Sequence, residues 1–215
     1  MSMLDRKLFR DLGHLKGQMI TISLVVAAGL AGLVGMYSTL RSIDVAAQDY
    51  YQRYRYADVF APVEKAPESL ETRLEAISGV RRAHTRIVES VTLPMESMVE
   101  PATGRLVSLP DTGRPPLNDV YLRRGRMPEP GRADEALVLE SFARAHGLDP
   151  GDTLPVVMGG TLRDVRIVGI ALSPEYLFVV TGREIVPDER RSTVLWMRRE
   201  TAAAACRNVV EHGAS

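Results

Sequence analysis

The chain has 215 residues, 45% of them apolar and 25% charged, and its 27 basic side chains balance 27 acidic ones. Zero net charge excludes a polybasic nucleic-acid binder and an acidic disordered tail, while the length suffices for one sizeable core plus an appendage. The single cysteine, Cys206, excludes an intramolecular disulfide framework and any multi-cysteine metal site within one chain.

Leu4, Leu8, Leu12 and Leu15 recur on one helical face, with Arg6, Lys7, Arg10 and Lys16 largely elsewhere. Residues 1–16 therefore read as an amphipathic helix lying in a membrane interface on the cytoplasmic side. The run GQMITISLVVAAGLAGLVGMYSTL, residues 17–40, holds no charge and is bounded by Lys16 and Arg41. A helix of that length reaches roughly 36 Å, enough to cross a hydrocarbon core, and it is too long for a cleaved signal region. Ala27, Ala31 and Gly35 recur every fourth residue with Ala28 and Gly32 beside them. Such a stripe of small residues is where a second helix approaches closely in lipid, so these five are the candidate helix-packing residues.

Residues 1–18 carry four Lys or Arg and residues 41–60 carry three, a bias of one charge. The clustered basic N-terminus is expected in the cytoplasm, with residues 41–215 outside. Helical patterning persists through SIDVAAQDYYQRYRY, where Ile43, Ala47, Tyr50 or Tyr51, and Tyr54 mark a stripe. Residues 41–56 are thus predicted to leave the bilayer as a stalk.

The domain over 57–197 is predicted to be α+β, strand-rich and mixed. ADVFAPV reads as a short strand and APESLETRLEAISGV as a helix with Leu70, Leu74 and Ile77 on its apolar face, ended by Gly79. VRRAHTRIVESVTL reads as a second strand, so Ala57–Leu93 is expected to form a β-α-β unit. Residues 94–135 are rich in Pro, Gly and Arg and predict a loop-dominated excursion with short strands around Leu106 and Val120. EALVLESFARAHGLDPGD predicts a strand and a short helix ended by Gly147. TLPVVMG and TLRDVRIVGIAL predict a hairpin turning at Gly159-Gly160, where both residues must take positive φ. LSPEYLFVV and STVLWM read as two further strands, and RRETAAAACRNVVEHGAS, residues 198–215, as a polar tail.

No phosphate-cradling G-x-x-x-x-G-K-[ST] loop, H-E-x-x-H or G-x-S-x-G motif is present. His14, His84, His146 and His212 are too scattered for a ligand set; His146 suits a helix C-terminus, and His84 suits a rim position. Asp134, Glu135 and Glu140 read as a solvated face or turn rather than as an acid-base pair. Arg123, Arg124 and Arg126 lack the interleaved aromatics of a nucleic-acid surface. Trp196 and Tyr176 are expected in a core or interface. No catalytic, cofactor-binding or metal-ligating residue is assigned, and no cofactor is implied.

The segments MLDRKLFRDLGHLKGQ, YYQRYRYADVFAPVEKAPESLETRLEAISGV, LNDVYLRRGRMPEPGRADEALVLESFARAHGLDPGD and RIVGIALSPEYLFVV together resemble the N-terminal part of a bacterial ABC transporter permease. The likeness is to the FtsX-like family with its MacB-like periplasmic core domain, over about residues 3–197. It implies a non-enzymatic component of the inner membrane, paired as a homodimer or heterodimer and touching lipid, driven by a separate cytoplasmic ABC ATPase. It implies no nucleic-acid partner. Residues 57–103 would correspond to a porter-like part and 104–197 to a second part. Such a permease has several further spans after this domain, where this sequence turns polar; a frameshift, a fragment or a split subunit is the expectation. The alternative is a stand-alone single-span protein whose extracytoplasmic domain binds a ligand or protein.

Overall fold

The computed structural model describes residues 16–63, 66–67, 69–95, 98–176 and 188–212, with the side chains of 206–212 left aside. The predicted amphipathic helix over residues 1–16 lies outside these residues, save Lys16. The chain divides into two compact units at Tyr50/Tyr51. The first holds most of α1, Lys16–Arg53, a 38-residue helix with no buried residue. The 24 uncharged residues and residues 41–53 are therefore one unbroken helix. It is long and apolar enough to cross a membrane.

The helix stops at Arg53, three residues before the predicted end, and the reason is local. The Tyr56 N–H bonds to the Tyr51 carbonyl at 2.9 Å and the Arg55 N–H to the Gln52 carbonyl at 3.2 Å, while Arg55 takes φ 51°. This paired closure normally uses glycine in the left-handed position. Its usual apolar contact is also present, as the Tyr51 and Tyr56 rings meet at a tilt with centroids 5.1 Å apart.

The second unit is built on seven strands: β1 Val88–Leu93, β2 Ala102–Leu109, β3 Tyr121–Gly125, β4 Glu135–Leu139, β5 Thr153–Met158, β6 Thr161–Leu172 and β7 Ser192–Arg198. They form one sheet in the order β3-β6-β4-β7-β2-β1-β5, and β5 pairs back onto β6. Residues 103 and 104 both lie within β2, which runs unbroken between them. The β5–β6 hairpin turns at Gly159 and Gly160, φ 56° and 75°, as a primed turn requires.

β4 and β7 are buried along their whole length, which explains their near-continuous apolar runs. Their alternation serves two cores. Ala136, Val138, Leu195 and Met197 face one, and Leu137, Leu139, Val194 and Trp196 face the other. Among the described residues the second unit also holds three helices, α2 Ser69–Glu75, α3 Glu140–His146 and α4 Arg199–His212, of which α3 and α4 pack on the sheet. Phe142 and Ala143 of α3 join the first core, and Gly147 ends the helix at φ 65°.

Several expectations need correction. Residues 57–63 form no strand; Val59 is 82% exposed, and the Ala57 N–H bonds to the Asn118 side chain at 2.9 Å rather than to a neighbouring strand. The β-α-β unit over Ala57–Leu93 is therefore not formed. Helix α2 buries nothing, and Leu74 and Ile77 face solvent instead of a core. Gly79 shapes the turn after α2, at φ 95°, rather than capping the helix. The segment from Pro174 to Tyr176 is a single 3-10 turn, not a strand, because the Ser173 carbonyl accepts the Tyr176 N–H at 3.1 Å. The remainder of that predicted strand, 177–180, lies outside the described residues. Residues 199–212, read as polar tail, are helical, with Ala202 and Ala205 in the first core.

Candidate functional site

Two features, each described within its own unit, are the candidates: the apolar helix α1 and, in the second unit, a collar of contacts around the turn that follows it. Ala27, Ala28, Ala31, Gly32 and Gly35 all lie on α1, and all are exposed. A Cβ added at Gly32 or Gly35 would meet nothing within 4 Å, so the stripe is open surface. The hydroxyls of Thr21 and Thr39 donate to the carbonyls of Gly17 and Gly35, each at 2.9 Å. Threonine hydroxyls satisfied by the helix's own carbonyls are a form that hydrocarbon tolerates.

Around the helix exit, within the second unit, residues 54–57 are bound to the loop 114–120. The Asp119 N–H donates to the Tyr54 carbonyl and the Asn118 N–H to the Arg55 carbonyl, both at 2.9 Å. The Arg55 guanidinium donates to Asp119 at 3.1 Å and to the Pro115 carbonyl at 3.0 Å. Arg114 reaches the same carboxylate at 2.9 Å and the Val120 carbonyl at 2.6 Å. Asp119, 7% exposed, thus accepts from two arginines and from the Val120 N–H at 2.9 Å. The Tyr54 and Tyr121 rings meet edge-on at 5.8 Å. Sequence reasoning missed this collar because its partners are some 60 residues apart and no glycine marks the turn at Arg55. The one legible signal was the RPPLND run, whose prolines and Asn-Asp pair announce a tight loop.

The predicted chemical clusters resolve into structural pairs. Glu135 is buried, against the expectation of a solvated face. Arg126 donates to it at 2.5 and 2.8 Å, and the Glu129 N–H donates at 3.0 Å. These bonds, the one from Arg126 foremost, hold its pKa at about 2. Arg123 pairs with Glu140 at 3.2 Å and Arg124 with Asp149 at 2.8 Å, so the basic cluster is neutralised by its own fold. His146 ends α3 as expected; its ring packs 4.3 Å from Phe142 and its Nε2 lies 2.9 Å from the Arg190 carbonyl. Trp196 and Tyr176 meet edge-on at 6.1 Å inside the second core, and burial pushes the Tyr176 hydroxyl up to about 12.

His84 is more enclosed than a rim residue, its side chain 15% exposed and its Nδ1 3.6 Å from Glu71. Burial pushes its pKa down against the pull of Glu71, with Arg199 and Arg86 adding to the fall. Glu71 in turn accepts the Thr85 N–H and hydroxyl, both at 2.6 Å. Arg86 forms a two-bond ion pair with Glu175 and lies over the Phe60 ring at 5.7 Å. Among the described residues no group of three His, Cys, Asp or Glu side chains is placed to hold a metal.

No protein-family model matches the chain. No curated protein matches it either. Among solved structures the chain is similar to the extracellular domain of the noncanonic ABC-type transporter YknZ from Gram-positive bacteria. The two share 16% identity over 66% of this chain and 69% of that one, with a TM-score of 0.35.

Proposed function

We propose that this chain is the membrane-anchored permease component of an ABC-type export or mechanotransmission system, in which a separate cytoplasmic ATPase drives an extracytoplasmic domain. The observation that carries the reading is the single helix that runs unbroken from an apolar span through a polar continuation to Arg53. A simple anchor needs neither the continuation nor a small-residue stripe, whereas a transmitter of motion uses both. The FtsX-like and MacB-like sequence resemblance supplies the class of machine. In this reading the N-terminus is cytoplasmic and residues 41–215 are extracytoplasmic. The chain is non-enzymatic, and the stripe at Ala27, Ala31 and Gly35 packs against a partner helix of a homodimer or heterodimer in lipid.

The test is purification of the tagged chain from its native host in mild detergent, followed by crosslinking and identification of what remains bound. An ATPase subunit and a second span crosslinked through the Gly35 face are expected. A chain that stays monomeric and brings down no ATPase sinks the reading in favour of a stand-alone single-span protein with an extracytoplasmic binding domain.

A further inference from the structure

The seven-stranded sheet closes on itself through one bridge, Thr92 to Val157, and the reason lies in the backbone. The Ser108 N–H donates to the Ile87 carbonyl at 2.9 Å, which fixes the phase of the β1–β2 ladder. Residues 87, 89, 91 and 93 therefore turn their N–H and C=O groups toward β2, while 88, 90 and 92 turn theirs outward. Continuing the β1–β5 pairing past Thr92 would set Pro94 opposite Pro155, and neither has an N–H to give. In the other direction β5 turns away at Gly159-Gly160, where Ser90 and Val88 would have sought partners. The outward backbone groups of Val88 and Ser90 consequently have no backbone partner among the described residues. Unlike the opposing strand, this short edge carries no proline to block it.

A cleft of about 170 Å³ lies beside that edge, lined by Glu89, Val91, Leu106, Met158 and the two turn glycines. Val91, Leu106 and Met158 are buried and give it an apolar floor. Alternation puts Glu89 on the same face as Val91 and Leu93, so its carboxylate stands at the rim. Glu89 is exposed, and among the described residues it makes no ion pair. The absence of side chains at Gly159 and Gly160 leaves the approach to the edge clear.

We propose that the Val88–Ser90 edge and this cleft form a binding site for an extended segment of another polypeptide. The segment adds as a strand beside β1 and lays one long basic side chain across the cleft floor to meet Glu89. Extended backbone is the chemistry that satisfies two outward donor-acceptor sets at strand spacing, and side-chain pockets beside such edges supply the selectivity. An apolar floor with an acid at its rim fits the aliphatic stem and charged head of Lys or Arg. A second copy is the poorer occupant, since pairing two β1 edges would crowd two Glu89 carboxylates into one short stretch. The site stands apart from the permease reading, because it rests on the second unit alone.

The test uses the full chain in zwitterionic lipid nanodiscs and three capped peptides: Thr-Val-Lys-Val-Thr, its Glu counterpart, and the Lys peptide N-methylated on alternate backbone nitrogens. The Lys peptide is expected to slow hydrogen exchange at the Val88 and Ser90 amides at least about tenfold at saturation, with core amides unchanged. Glu89→Gln, at an exposed position, should weaken its binding by about fivefold. Ser90→Pro removes the outward donor but leaves the bonds to β2, and should abolish the protection. Equal protection by the Glu or N-methylated peptide overturns the proposal, as does no protection at about millimolar Lys peptide. Protection that grows with protein concentration in the absence of peptide assigns the edge to a second copy and overturns it equally.

Discussion

At the scale of single residues, the buried carboxylate of Glu135 ties part of the fold's stability to acid pH. Its pKa is about 2 in the folded chain against 4.5 when unperturbed. Between those values the unfolded chain holds the proton and the folded chain does not. The stabilisation is thus complete above about pH 4.5 and drains as the pH falls toward 2. Arg126 is 45% exposed, so solvent screens part of the pair, and a contribution on the order of 2 kcal/mol is reasonable. Glu135→Gln should therefore lower stability at pH 7 by about that amount and flatten the decline between pH 4.5 and 2. Urea denaturation at stepped pH reads both effects, and an unchanged acid limb would show that the pair is idle. His84 works in a higher window with the same sign: its depressed pKa means that protonation favours opening, so its share of stability is lost as pH falls below 6.5. Its imidazole proton resonances should titrate with a midpoint below 6.5.

Leu74 shows how one residue's role depends on what the fold offers it. The helical spacing of Leu70, Leu74 and Ile77 marks an apolar face, and from that face alone Leu74→Asp would be expected to unfold the domain. In the structure Leu74 is 37% exposed and α2 is held instead by carboxylates, Glu71 on Thr85 and Glu75 on the Ala83 N–H at 3.1 Å. Leu74→Asp should now change stability by no more than about 0.5 kcal/mol, whereas Phe142→Ala, which empties a fully buried site, should cost about 3–5 kcal/mol. Thermal melts of the two variants side by side decide it, since a large loss in the Leu74 variant would put that residue back in a core.

At the scale of elements, the exit of α1 carries a testable strain. Arg55 occupies the left-handed position that glycine usually fills, and it does so while binding Asp119 and the Pro115 carbonyl. Two effects oppose each other at one residue, a backbone cost near 1 kcal/mol and an ion pair between a half-exposed arginine and the buried Asp119 carboxylate. Arg55→Ala keeps the cost and loses the pair, while Arg55→Gly loses the pair but relieves the cost. The alanine variant should be the less stable by about 1 kcal/mol, and equal midpoints in urea would mean that the turn is unstrained. This collar was illegible in the sequence because nothing local announces it. The elements that were legible, the β5–β6 hairpin, α3 with Gly147, β4 and β7, are those whose signals are short-range: a Gly-Gly turn, a glycine stop and runs of apolar residues. The predicted strand at 57–63 failed for the converse reason. Its apolar residues were real, but a strand exists only where another edge accepts its hydrogen bonds, and Val59, Phe60 and Val63 stay exposed. The polar tail misled through its charges, while its four consecutive alanines at 202–205 already favoured the helix that the structure shows.

For the whole molecule, the boundary at Tyr50/Tyr51 separates two kinds of stability. The first unit has no buried residue on α1, so its helix depends on its surroundings, hydrocarbon or another helix, for its packing. The second unit carries two apolar cores of its own around one sheet. The apolar helix was readable in advance because its 24 uncharged residues are contiguous in the sequence, and the helix found there is long and apolar enough to cross a membrane. The small stripe on it was readable as a pattern, and the structure shows it as open surface at Gly32 and Gly35. A substitution in the stripe should then act on association alone. Gly35→Leu adds bulk to an open face where nothing lies within 4 Å, and should weaken crosslinking between spans without moving the thermal midpoint of the sheet domain. Crosslinking that persists at wild-type level would mean that the helix associates through another face. A midpoint that falls with it would mean that the substitution also reaches the stability of the second unit.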